Sequence, residues 1–283
     1  MLIAFASDYG HADEFVGVCR AVMRGIAPAD TEILDLGHEI PAHDVRAGSL
    51  LLVRSVQYLP DDTILLAVVD PGVGTDRRLV AVEVAGGVLL GPDNGLLAPA
   101  TAMIGGPQRV VSLENTEYHL EAPGPTFAGR DVLSPVAGHL AAGVPLSELG
   151  PEVDPVSMVP GIISLPDVDD DGAIVGQVWW VDRFGNCQLN IDPDQLLLAG
   201  THPGDNVEVR TPTGVRAARW VHTYADAKPS ELVMLVDSYG LVSLAFDRES
   251  AAVALGLHAS EPVTLVPEPM AQKRPGIPVR GMP

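Results

Sequence analysis

Cysteine, lysine and aromatic residues are scarce in this sequence. Cys19 and Cys187 are its 2 cysteines, and they fall in opposite halves of the chain. Two isolated thiols make neither a disulfide framework nor a zinc site, so no covalent staple and no metal are expected. Lysine is confined to Lys228 and Lys273; Lys and Arg total 17 against 37 Asp and Glu, a formal charge of −20. A chain this acidic repels nucleic-acid phosphates and anionic lipid, so neither is expected as a partner. No apolar run approaches the ~18 or more residues of a membrane span. The opening "MLIAFASDYG" has no basic segment, and its apolar stretch stops at Ser7-Asp8, too short for a signal peptide. A cytoplasmic protein is the expectation.

What is present is enough for a substantial core: 283 residues, 47% of them hydrophobic, which points to two domains. In the first half, strand and helix patterns alternate. "LIAFA", "TEILDL" and "TILLAVV" read as buried strands. "ADEFVGVCRAVMRGI", with apolar Phe15, Val18, Val22 and Ile26, and "DVRAGSLLLVRSVQYL" read as helices between them. Such alternation predicts parallel pairing in an α/β layer. "LVAVEV" and "GVLLG" flank Gly86-Gly87 as a hairpin, "QRVVSL" is a further strand, and "RDVLSPVAGHLAAG" is a helix with Pro135 in or near its first turn.

After Gly150 the texture changes to proline, acid and no period. Beyond it, "AIVGQVWWVD", "CQLNI", "NVEVRT", "VRAARWVHTY", "ELVMLV" and "LVSLAF" are separated by turn signals. The expected class is α/β: an N-terminal domain over 1–158 with a mainly parallel sheet, a linker over 159–171, and a smaller antiparallel β domain over 172–269. A disordered tail is expected over 270–283.

In an open parallel sheet, ligands bind outside the carboxyl ends of the strands. Two strands deliver acids there, "LIAFAS" to Asp8 and "TILLAVV" to Asp70. Either acid can open a turn or cap a helix; as a pair next to glycines they point to a site. "GVGTDR" is no dinucleotide fingerprint, because a strand follows where a helix should open. If a nucleoside binds, Asp8 can accept from both ribose hydroxyls without any phosphate cradle. "GPDNG" is a turn that can also present Asn94 to the crevice. His139, on a helix of small and apolar residues, reads as a hydrogen-bonded core histidine or as a catalyst. In "WWVDRFGNCQLN", Asp182 and Asn186 bracket a turn that is either a polar tip or a ligand contact. His38, His43, Asp44 and His139 lack the spacing of a metal site.

Taken together, "SDYGHADEFVG", "HEIPAHDVRAG", "VVDPGVGTDRR", "GPDNGLL", "FAGRDVLSPVAGHLAAG", "VDRFGNCQLNI" and "DSYGLVSLAF" resemble the S-adenosylmethionine hydroxide adenosyltransferase family along nearly the whole chain. The family is related to enzymes that attack the same substrate with fluoride or chloride. The resemblance implies displacement at C5′ of S-adenosylmethionine by water or hydroxide, releasing adenosine and L-methionine, with no cofactor. It implies a catalytic triad of Asp70, Arg77 and His139, in which Arg77 is no base because arginine stays charged; His139 or Asp70 takes the proton. It also implies that Asp8 binds the ribose, Asn186 the adenine edge, Asp182 the methionine ammonium and Ser238 its carboxylate, with Tyr224 stacking on adenine. A homotrimer with sites between subunits is implied as well.

The sequence departs from the halogenating relatives. They carry Tyr where Asp70 stands, Thr at or near Val73, and an insertion after "VAVEV". Gly129 suits the chlorinating and hydroxide branches, and His43 stands where an aromatic is common. The rival readings are a halogenase making 5′-chloroadenosine and a non-catalytic sensor of S-adenosylmethionine or adenosine.

Overall fold

The computed structural model describes residues 1–161, 163–170 and 172–267. The chain forms two compact units, Met1–Ile163 and a second from Ser164 onward. The expected disordered tail lies outside the described residues.

In the first unit, β1 (Leu2–Ser7), β2 (Glu32–Gly37), β3 (Thr63–Val68), β4 (Leu79–Val84), β5 (Gly87–Pro92), β6 (Arg109–Ser112) and β7 (Glu152–Val153) form one sheet in the order β2-β1-β3-β5-β4-β6-β7. β2, β1, β3 and β5 are parallel, and β4 pairs antiparallel with both β5 and β6. β3 is buried along its whole length, as its unbroken apolar sequence demands of a central strand. The hairpin at Gly86-Gly87 forms as expected. A Cβ on Gly87 would meet the Thr63 carbonyl oxygen at 2.1 Å, so the turn admits only glycine there.

The helices of this unit are α1 (Phe15–Ile26), α2 (Val45–Val56), α3 (Ala98–Met103) and α4 (Ser134–Ala141), the last preceded by a π-helical turn at Gly129–Leu133. The Asp44 carboxylate caps α2 by accepting from the Ala47 amide at 2.8 Å. α1 buries Val16, Cys19 and Met23, whereas Phe15, Val18, Val22 and Ile26, the apolar face expected from spacing, are half-buried or exposed. The buried stripe is offset by one residue, which frees Phe15 for another use. The core joins Phe5, Met23, Leu66 and Leu133 between sheet and helices.

In the second unit, β8 (Asp167–Val168), β9 (Ile174–Val181), β10 (Cys187–Leu189), β11 (Asn206–Thr211), β12 (Gly214–Trp220), β13 (Val233–Val236), β14 (Val242–Ala245) and β15 (Pro262–Pro267) form a second sheet, with short helices α5 (Pro193–Leu198) and α6 (Ala251–Leu255). Its order is β10-β14-β13-β12-β11-β15-β9-β8, and β9 also pairs with β10, closing the sheet like a barrel. All neighbours are antiparallel except β12 and β13. Ile174, Leu189, Met234 and Leu244 fill its interior. The stretch read as a linker contributes β8, which pairs with β9.

Candidate active site

Asp70 lies two residues past β3, and the turn that follows brings Arg77 back onto it. Gly74 adopts φ +82°, and the Thr75 hydroxyl donates to the Gly72 carbonyl at 2.7 Å. A Cβ on Gly72 would come within 3.2 Å of Arg77 Cδ, so the glycines clear a path for the returning side chain. Arg77 Nε reaches Asp70 Oδ1 at 2.7 Å and Oδ2 at 2.9 Å, and a terminal guanidinium nitrogen also donates to Oδ2. The Asp70 side chain is 6% exposed and that of Arg77 15%, so water screens the pair little.

Asp8 follows β1, the strand beside β3, so both acids stand at one sheet edge. Its Oδ2 accepts from the His43 amide at 2.9 Å, and His43 holds φ +68° in the turn before α2. Asp8 and Asp70 line a cleft of about 550 Å³ together with Tyr9, Phe15, His43 and Phe127. In a chain with 5% aromatic residues, three rings meet here edge to face: Tyr9–Phe15 at 5.7 Å, Tyr9–Phe127 at 5.5 Å and Phe15–Phe127 at 5.1 Å. Burial, helped by Cys19, Asp8, Asp70 and Asp131, pushes the Tyr9 phenol far up, so it stays protonated.

Two residues expected at this crevice are placed otherwise. The Asn94 amide donates to the Val69 carbonyl at 2.9 Å, and its oxygen accepts from the Leu96 amide at 3.2 Å. Asn94 therefore braces the backbone next to Asp70. His139, grouped by resemblance with Asp70 and Arg77, lines neither the cleft nor the larger cavity on the Arg77 side. α1 and α4 run side by side away from the crevice. At the crevice end, a Cβ on Gly129 would lie 2.1 Å from the Tyr9 hydroxyl; at the other end, one on Gly138 would lie 2.8 Å from Ile26 Cβ. Helix rise puts roughly 13 Å between those contacts, and His139 follows Gly138. Its ring packs edge-on against Tyr118 at 5.0 Å, and burial holds its pKa below the usual histidine value.

The second unit carries a polar cluster of its own. Asp182 Oδ1 accepts from the Phe184 and Asn186 amides at 2.8 and 2.9 Å, and Oδ2 accepts from Asn186 Nδ2 at 2.8 Å. Tyr224 is near: burial, Asp182 and Asp237 raise its pKa in that order. Asp237 accepts from Gln188 Nε2 at 2.6 Å and opens the turn that exposes Ser238. Asp182 and Asn186 are thus brought together, Tyr224 lies within electrostatic reach of Asp182, and Ser238 adjoins Asp237.

Sequence reasoning missed Tyr9, Phe15 and Phe127 as cleft walls. The signal was present in "SDYG" and "TFAGRD", where aromatics adjoin the crevice residues. It missed His119 too, which lines a cavity with Arg77.

An α/β sheet with two acids at its carboxyl edge, one locked to an arginine beneath an aromatic-walled cleft, defines a small-molecule enzyme unit. The chain belongs to the SAM hydroxide adenosyltransferase family, whose N-terminal domain model matches residues 3–150 and whose C-terminal domain model matches residues 176–264. It is 41% identical over 255 residues to an (R)-S-adenosyl-L-methionine hydrolase of Salinispora tropica, covering 90% of this chain and 94% of that one. A hydrolase of the same name from Thermus thermophilus is 38% identical over 271 residues, with 93% and 99% covered. A solved structure of a conserved Thermotoga maritima protein superposes with a TM-score of 0.86 at 31% identity, covering 93% of this chain and 99% of that one.

Proposed function

We propose that this protein hydrolyses S-adenosylmethionine to adenosine and L-methionine, with the (R) configuration at sulfur that its hydrolase relatives are named for. One observation carries the reading: a nearly enclosed carboxylate, Asp70, gripped by Arg77 beside a cleft of nucleoside size. The sulfonium is already a good leaving group, so the site's work is to hold an oxygen nucleophile in line with the C5′–S bond. Asp70 offers hydrogen-bond acceptors, which orient water through its protons and offer a halide nothing. The oxygen–C5′ bond forms as the C5′–S bond breaks, and sulfur leaves as the neutral thioether of methionine. No cofactor enters this scheme.

In the same proposal, Asp8 accepts from the ribose hydroxyls and the three rings wall the adenosyl group. Asp182 binds the ammonium, Ser238 the carboxylate, Asn186 the adenine edge, and Tyr224 stacks on it. Asn94 acts through the backbone at Val69. The protein works in the cytoplasm as a homotrimer whose sites lie between subunits. No helix among the described residues is long and apolar enough to cross a membrane.

The deciding assay offers purified protein each sulfonium epimer, with and without chloride or fluoride, in ¹⁸O-labelled water. Adenosine labelled at the 5′ oxygen, formed whatever halide is present, is expected from the (R) epimer. A 5′-haloadenosine as the main product sinks the proposal.

A further inference from the structure

The Asp70–Arg77 pair has two faces. Asp70 lines the cleft described above, whereas Arg77 lines a second cavity of about 720 Å³. Thr75, Thr116, His119 and Asp131 are among the walls of that second cavity, and Gly124 and Ala128 line both. Neither residue carries more than a methyl group, so at these shared positions no long side chain stands between the two spaces.

We propose that this second cavity is the water side of the reaction, and that His119 accepts the proton of the attacking water through solvent held there. The inference rests on the hydrolytic reading above. His119 follows the turn at Thr116–Tyr118, its amide donates to the Thr116 carbonyl at 3.2 Å, and the next residue, Leu120, donates to the Asp131 carbonyl at 2.8 Å. Those bonds fix its backbone against the start of the π-helical turn. Its Nε2 is enclosed and has no hydrogen-bond partner among the described residues, and the half-buried ring lines the cavity, where water can hand it a proton. Burial lowers the His119 pKa, which favours the neutral ring that can act as a base.

The other titratable groups around it suit this task less. Arg77 and Asp131 share its cavity and are paired with Asp70 and Arg130. Glu121 lines the same cavity, and Glu117 and Tyr118 adjoin His119 in the chain, with Tyr118 donating to Glu148. Tyr9 is held protonated, and His139 stands at the far end of α4. The water oxygen bonds to C5′, the C–S pair leaves with sulfur, and the proton passes through cavity water to the His119 imidazole and on to solvent.

The test uses the full-length protein, His119→Ala and His119→Gln, with S-adenosylmethionine affinity by calorimetry and kcat across pH. For the parent, kcat should rise with pH around a midpoint below the ~6.5 of ordinary histidine and then level. An NMR titration of His119 should share that midpoint. Both variants should bind substrate like the parent, lose kcat roughly 10²–10⁴-fold and lose the acidic limb; free imidazole should restore part of the His119→Ala rate. The inference is overturned if either variant keeps the parent's kcat and limb, or if the NMR and kinetic midpoints differ. A parent that binds substrate but releases no adenosine overturns the hydrolytic reading itself, and this inference with it.

Discussion

The Tyr9 hydroxyl occupies the place where a side chain on residue 129 would begin: a Cβ there would lie 2.1 Å from the oxygen and 3.1 Å from Cζ. Gly129 is thus required by a ring that walls the cleft, at a backbone position any residue could adopt. Gly129→Ala should push Tyr9 into the ligand space and weaken S-adenosylmethionine binding. Tyr9→Phe removes the oxygen and leaves only the milder ring contact, so the double variant should bind more tightly than Gly129→Ala alone. Calorimetry on the three variants decides it; a double variant no better than the single one would mean that another group sets the clash.

The two acids at the sheet edge should fail in different ways. Asp8→Ala removes a charged acceptor from two ligand hydroxyls, which weakens binding about tenfold to a hundredfold. Asp70→Asn and Arg77→Ala should leave binding nearly unchanged and lower kcat roughly 10²–10⁴-fold. Arg77→Ala binding as weakly as Asp8→Ala, yet turning over normally when saturated, would make Arg77 a substrate ligand instead.

His38 should make stability depend on pH. It is 1% exposed, its Nδ1 lies 2.7 Å from the Ser7 hydroxyl, and its Nε2 faces Asp35 at 3.3 Å without hydrogen-bond geometry. Burial lowers its pKa; Asp35 opposes the shift, while His11 and Arg20 reinforce it. With the folded pKa below the unfolded one, the unfolded chain binds the proton first as pH falls. The contribution is therefore complete above about 6.5 and is lost from there down through the folded value. Urea unfolding at several pH values should show a smaller loss on acidification in His38→Gln than in the parent; equal slopes would assign the loss to other groups.

Assembly can be read from mixed variants. If each site joins the first unit of one subunit to the second unit of its neighbour, Asp8→Ala and Asn186→Ala proteins, each impaired, should recover activity when denatured, mixed and refolded together. Recovery no greater than the sum of the two alone would place each site within one subunit.

Strand and helix order was readable because burial writes a simple code: continuous apolar runs for β1 and β3, turn residues between strands of the second unit. Asp70 and Arg77 were readable because seven residues and two glycines join them locally. His139 was not, because "GRDVLSPVAGH" looks compact in sequence while helical turns carry the two ends of its eleven residues well apart. Phe15 was misassigned for a similar reason: the helical phase of α1 is set by what packs on Val16, Cys19 and Met23, and spacing alone does not fix which neighbouring stripe turns inward. Asn94 looked ligand-facing, yet an amide beside an unpaired strand-end carbonyl finds that partner first.

Arg77 and Arg78 are neighbours with opposite attachments. While Arg77 holds Asp70, Arg78 grips Asp93 at 2.6 Å and the Ser157 carbonyl at 2.7 Å, near the end of the first unit. The turn between Asp70 and Arg78 is consequently clamped at both heels, like the fixed jaw of a vice. Val73, which lines the cleft, is therefore carried on a span whose two ends are each held by a carboxylate–arginine pair.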